Sequence, residues 1–130
     1  SVSDDLVDFS DFLPTLCEAG GMSVPAELNI DGRSFLPQLT GKKGHPREWI
    51  YCWYSRNGGP KGQEWARNQR YKLYRSGQFY DVPNDVLEQK PLRMEDLAAE
   101  AKEAYITLKA ALNRYRDARP RKFRRTETEN

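Results

Sequence analysis

Long apolar runs are absent from the chain. None approaches the roughly 20 residues that a membrane helix needs, which leaves no candidate transmembrane segment. The N-terminus also lacks the basic-then-apolar layout of a signal peptide, so the sequence sets no compartment. Cysteine is scarce. Cys17 and Cys52 lie far apart in apolar segments, which argues against a disulfide framework and for two buried thiols. Basic side chains are missing ahead of Arg33, where every ionised group is an acid: Asp4, Asp5, Asp8, Asp11, Glu18, Glu27 and Asp31. There is one histidine, His45, and there are no internal repeats. The chain begins Ser-Val-Ser rather than with Met, as expected of a piece of a longer polypeptide.

The 130 residues present are enough for one compact domain with a single core, which at this size buries about two-thirds of its unfolded surface. Charged residues make up 31% and the net charge is +2, a balance that by itself suggests no nucleic-acid binder. The two ends nevertheless carry opposite fields, since residues 114–125 are dominated by arginine with Lys122.

Along the chain, "DFLPTLCEAGG" has a helical start and stop. Asp11 is placed to cap, Pro14 falls in the first turn, and Gly20-Gly21 ends the helix. Leu6, Phe9, Leu13 and Leu16 give this region an apolar stripe that needs a cover. From Met22 to Gly44 the periodicity is lost among glycines and prolines, which predicts ordered coil around one apolar knot, "SFLPQL". "REWIYCWYS" reads as a strand buried on both faces and central to a sheet. "EWARN", "RYKLYR" and "QFYDV" complete an antiparallel meander, with Ser76-Gly77 as a two-residue hairpin turn. From Met94 the period becomes helical, and Leu97, Ala101, Ala104, Tyr105, Leu108, Leu112 and Tyr115 share one face. Glu95 and Asp96 at its start and Arg114, Arg116 and Arg119 at its end suit the helix dipole, and Pro120 stops it.

With those elements placed, the chain resembles the C-terminal part of the arylsulfatase-type sulfatases, the sulfuric ester hydrolases. "DFSDFLPTLCEAGG" is similar to the family's Asp-x-x-Pro-Thr-Leu helix, and "DGRSFLPQLTGK" to its Asp-Gly-x-Ser-Leu-x-Pro-x-Leu-x-Gly. "RYKLYRSGQFYDVPNDVLEQKPL" resembles its Lys-Leu-Tyr hairpin with a Tyr-Asp-Leu strand, a turn Asp and a Glu. Val86 stands where the family often has Pro, and Lys90-Pro91 replaces a frequent Asn-Asn. The resemblance implies a parent enzyme that hydrolyses sulfate esters with a formylglycine nucleophile and a calcium ion. The formylglycine forms in a Cys/Ser-x-Pro-x-Arg motif, and neither Cys17 nor Cys52 has that context, so both groups are expected from the N-terminal catalytic region of the same polypeptide.

Asp81, Asp85 and Glu88 raise a metal question. Calcium takes six to eight oxygen ligands from closely alternating acids, whereas these three surround a turn interrupted by Pro83, where Asp serves the backbone. We expect a structural turn and no metal site. Gly58-Gly59-Pro60-Lys61-Gly62 lacks the spacing and ending of a P-loop. Cys52 with His45 is not a nucleophile and base, because a strand cysteine among tryptophans is inert. No catalytic residue is assigned. His45, Tyr54, Arg56 and Lys61, near or around the glycine loop, are the candidates for a pocket wall that holds an anionic sulfate ester. For each of them an exposed, solvated side chain is the simpler reading.

These observations define an α+β expectation: a small antiparallel sheet of about four strands covered by a long C-terminal helix, preceded by a short helix and an irregular connection. Residues 1–46 would be the end of the catalytic domain, 47–119 a C-terminal subdomain, and 120–130 a basic, disordered tail. Alone, the chain is expected to be inactive and to self-associate or lose order in its first forty or so residues. The rival reading is a stand-alone module that binds single-stranded nucleic acid through its arginine-rich end and the rings of Tyr71, Tyr74, Phe79 and Tyr80.

Overall fold

The computed structural model describes residues 2–58 and 62–118. Lys61, Arg119, Pro120 and the basic tail therefore lie outside the described residues. The chain divides after Ile50 into two compact units.

In the first unit, α1 (Phe12–Ala19) follows a 3-10 turn at Phe9–Asp11. The expected cap is one turn earlier than the sequence suggests. The Asp8 carboxylate accepts from the Ser10 N–H, and the Asp11 carboxylate accepts from the Asp8 N–H in return, forming a reciprocal capping box. Asp11 itself makes no side-chain cap on α1. Gly21 (φ +68) takes the left-handed conformation that ends the helix, and the Met22 N–H returns to the Cys17 carbonyl at 2.8 Å. The knot "SFLPQL" is not coil throughout, since Leu36–Leu39 form one helical turn, α2. The Phe35 N–H donates to Thr15 Oγ1 at 3.0 Å, tying this turn to α1.

The second unit is built on a four-stranded antiparallel meander in the order β1 (Ile50–Tyr54), β2 (Gln63–Arg67), β3 (Tyr71–Tyr74), β4 (Phe79–Asp81). Trp65 pairs with Tyr74, and Lys72 with Tyr80. Strand β1 is an edge strand and half-buried, not central and fully buried as its aromatics suggest. Aromatic density reports covered faces, and Tyr51 is covered by Tyr115, stacked at 4.6 Å. It says nothing about hydrogen-bonding order.

The β3–β4 hairpin also differs from expectation in its loop. Tyr74 N–H donates to the Gln78 carbonyl at 2.9 Å, enclosing three residues, Arg75–Gly77, with Gly77 at φ +95. Helix α3 (Ala99–Arg114) lies on β2 and β3. It begins five residues after Met94 because Met94–Asp96 form a separate 3-10 turn and Leu97 and Ala98 are extended, which drops the Leu97 side chain into the core. Ala101, Ala104, Leu108, Ala111 and Leu112 bury against Ala66, Tyr71, Leu73 and Phe79. Arg75 bridges the layers by donating to Glu64 Oε2 at 2.8 Å and to the Leu112 carbonyl at 2.6 Å. The α+β expectation thus holds, with a four-stranded antiparallel sheet, a long helix and a short helix before it.

Candidate functional site

Tyr54 is the last residue of β1 and 59% exposed, and Arg56 lies in the turn that follows, also exposed. The turn closes through Gly58 N–H to the Ser55 carbonyl at 3.2 Å, with Gly58 at φ +63. On the return side, Gly62 passes so close to Trp53 that a Cβ there would meet the indole Nε1 at 2.6 Å. Short local bonds therefore hold Tyr54 and Arg56 at one end of one strand. A phenol hydroxyl and a guanidinium so placed present hydrogen-bond donors to an anion. His45 is exposed in the first unit, following Gly44 at φ +55.

Arg47, two residues after His45, is committed elsewhere. Its Nε donates to Asp11 Oδ2 at 2.7 Å, Nη2 donates to Asp11 Oδ1, and Nη2 reaches the Asp31 carbonyl at 3.0 Å. Both side chains are buried. Burial opposes ionisation of Asp11, but the bonds from Arg47 and from the N–H groups of Arg33 and Asp8 outweigh it and hold the carboxyl below its usual range.

The acids of the turn after β4 are also committed, each to a different partner. Asp81 accepts from Arg70 Nη2 at 2.9 Å and Asn84 Nδ2 at 3.0 Å, and the Arg70 guanidinium lowers its pKa. Asp85 accepts from the backbone N–H groups of Lys90 at 2.7 Å and Gln89 at 3.0 Å, which favours its charged form. Glu88 accepts from Lys72 Nζ at 2.7 Å and from the Tyr74 hydroxyl. Burial opposes the Glu88 charge, yet these two donors prevail and lower its pKa. Lys72 Nζ also lies 4.7 Å from the ring centres of both Trp65 and Tyr74. Lys72 and Tyr74, two apart on one strand, share a face by the strand period, a signal that could have revealed half of this cluster.

Among the described residues no group of three or more His, Cys, Asp or Glu is placed to hold a metal ion. The donor set does not fit calcium, because the three turn acids point to separate protein partners. Neither cysteine precedes the x-Pro-x-Arg that formylglycine formation uses, so this chain's own residues do not fit that group either. Both cysteines are half-buried and outside disulfides. Tyr71, Phe79 and Tyr80 are buried, which withdraws three of the four rings from any base-stacking surface. Among the described residues, no helix is long and apolar enough to cross a membrane.

No family model matches the chain. It is 32% identical over 88 residues to the sulfatase YdeN of Escherichia coli, covering 62% of this chain and 15% of that protein. It is 32% identical over 95 residues to an ulvan-active sulfatase of Formosa agariphila, covering 70% of this chain and 19% of that one. The chain thus spans less than a fifth of the length of the curated relatives it matches. Among solved structures, a 2-O GAG sulfatase matches 82% of this chain with TM-score 0.62 and 28% identity, over 25% of its own chain. The protein BT4656, in complex with its substrate D-glucosamine-2-N,6-O-disulfate, matches 85% with TM-score 0.65 and 25% identity, over 24% of its own chain.

Proposed function

The chain belongs to the sulfatases as a C-terminal-type region, and from that premise we propose that it supports the catalytic domain of a sulfate-ester hydrolase and contributes one wall of its substrate pocket. The observation that carries this reading is the likeness to the 2-O GAG sulfatase along more than four-fifths of the chain. The formylglycine nucleophile and the calcium that holds the sulfate come, in this proposal, from the polypeptide outside these residues. Residues 1–46 are read as the end of the catalytic domain and residues 47–119 as the C-terminal subdomain. His45, Tyr54, Arg56 and Lys61 are the wall residues in this reading, offering cationic and hydroxyl donors to an anionic ester.

The exposed apolar side chains of the first unit support the same assignment. Phe9, Phe12, Leu13, Leu16 and Leu39 are each about half exposed or more, a surface that a soluble chain normally covers. We read it as the seam with the rest of the catalytic domain. The isolated chain is then expected to self-associate, or to lose order in its first forty or so residues, and a monodisperse monomer with a well-protected α1 would contradict the assignment.

The coding sequence upstream of Ser1 tests the enzymatic reading. An in-frame Cys/Ser-x-Pro-x-Arg motif and a formylglycine mass in the expressed product are expected. Absence of the motif would overturn the reading, and so would turnover of an aryl sulfate by residues 1–130 alone.

A further inference from the structure

The turn after β4 holds two large apolar side chains in solvent. Val86 is 75% exposed and Leu87 76%. They are the middle residues of a tight turn closed by Glu88 N–H to the Asp85 carbonyl at 3.0 Å. Both flanks of that turn are fixed. On one side the Asp85 carboxylate accepts from the N–H groups of Gln89 and Lys90. On the other, Glu88 has φ +54, alone among the described non-glycine residues in taking positive φ, and its carboxylate is held by Lys72 Nζ and the Tyr74 hydroxyl. An L-residue adopts left-handed backbone at an energetic cost that the surroundings must offset. The effect here is to display an apolar pair on a turn bonded at both ends.

We propose that the Asp85–Glu88 turn is a docking knob whose Val86 and Leu87 side chains seat in an apolar recess of the polypeptide that accompanies this region in the complete protein. The choice of occupant follows from size. A stable complex between separate molecules buries about 1,200–2,000 Å², which two side chains cannot supply. A covalently tethered partner needs no such area, because the tether raises the effective concentration. The relatives offer such a tether, since this region spans only 15% and 19% of their length. The fixed turn lowers the ordering cost of docking, as preorganisation does generally. The proposal rests on the reading of this chain as one region of a longer sulfatase.

Hydrogen exchange of the full-length gene product, compared with residues 1–130 alone, tests it. The amides of residues 86–89 are expected to exchange at least about tenfold more slowly in the full-length protein. The V86S/L87S double substitution should abolish that difference while leaving thermal unfolding of residues 1–130 unchanged, because both side chains are exposed there. Equal exchange in the two proteins overturns the knob. So does a gene that encodes no further polypeptide, and so does slowing that appears in residues 1–130 as concentration rises, which would assign the surface to a second copy. If full-length protection is found but formylglycine is absent, the sulfatase reading falls and the docking stands.

Discussion

Arg47 closes a two-point ion pair on Asp11 across 36 residues of sequence, and both side chains are almost fully buried. The same carboxylate accepts from the N–H groups of Asp8 and Arg33, so one acid ties together the start of α1, the connection after it and the approach to β1. Such a junction is valuable for register more than for net energy, because desolvation of both ions offsets much of their attraction.

Removing one partner is the sharper test. R47A should destabilise the first unit by about 3–5 kcal/mol, because it leaves Asp11 buried and unpaired. Faster exchange of the Asp8 and Arg33 amides would locate the loss, and protection equal to that of the unsubstituted chain would refute the role. The pH dependence follows from the lowered Asp11 pKa. The unfolded carboxyl has the higher value, 3.8. The contribution is therefore complete above that pH and is lost as pH falls through the lower folded value.

Gly32 makes a second prediction in the same unit. A Cβ at this position would lie 2.0 Å from the Ser10 carbonyl oxygen and 2.7 Å from its carbon, both backbone atoms that cannot swing aside. G32A should therefore force the connection away from the turn before α1, at a cost of about 1–3 kcal/mol. Loss of protection at the Arg33 and Phe35 amides is the expected readout, and a crystal structure of G32A with an undisplaced connection would contradict it.

How much of this was legible in the sequence depends on range. The meander and α3 were readable because their periods are local, as with Tyr71 and Leu73 alternating with Lys72 and Tyr74. The edge position of β1 was not, because strand order is set by pairing between segments. Asp11 was visible as a cap but not as the partner of a distant arginine. The positive φ of Glu88 left no trace, since no glycine marks it. Arg56 is exposed where the sequence predicts a loop, Tyr54 is exposed although the sequence predicts a strand buried on both faces there, and Lys61 lies outside the described residues.

Glu88 allows its two roles to be separated. E88A removes the bonds to Lys72 and Tyr74 and keeps a left-handed backbone that alanine tolerates poorly, whereas E88G removes the same bonds and relieves the backbone. Both should lower stability, and E88A by about 1 kcal/mol more than E88G. Urea unfolding of the two variants checks the order. A reversed order would mean that the backbone of this turn is not strained.

The pocket wall makes the last prediction, in the complete enzyme. If Arg56 donates to the substrate's anionic group, R56A removes a charge-assisted hydrogen bond of about 1.5–3 kcal/mol, equivalent to about 10- to 150-fold in kcat/KM. Tyr54→Phe keeps the ring and removes only the hydroxyl, so its loss should be smaller, near the about 1 kcal/mol of a neutral hydrogen bond. The R56A effect should weaken with added salt, because Arg56 is exposed and screening acts fully on exposed charges, whereas the Tyr54→Phe effect should not. Steady-state kinetics at two ionic strengths separate this from a folding defect, since a defect would lower activity equally in both. Unchanged kinetics for R56A would return Arg56 to a solvated loop and remove the wall from this end of β1.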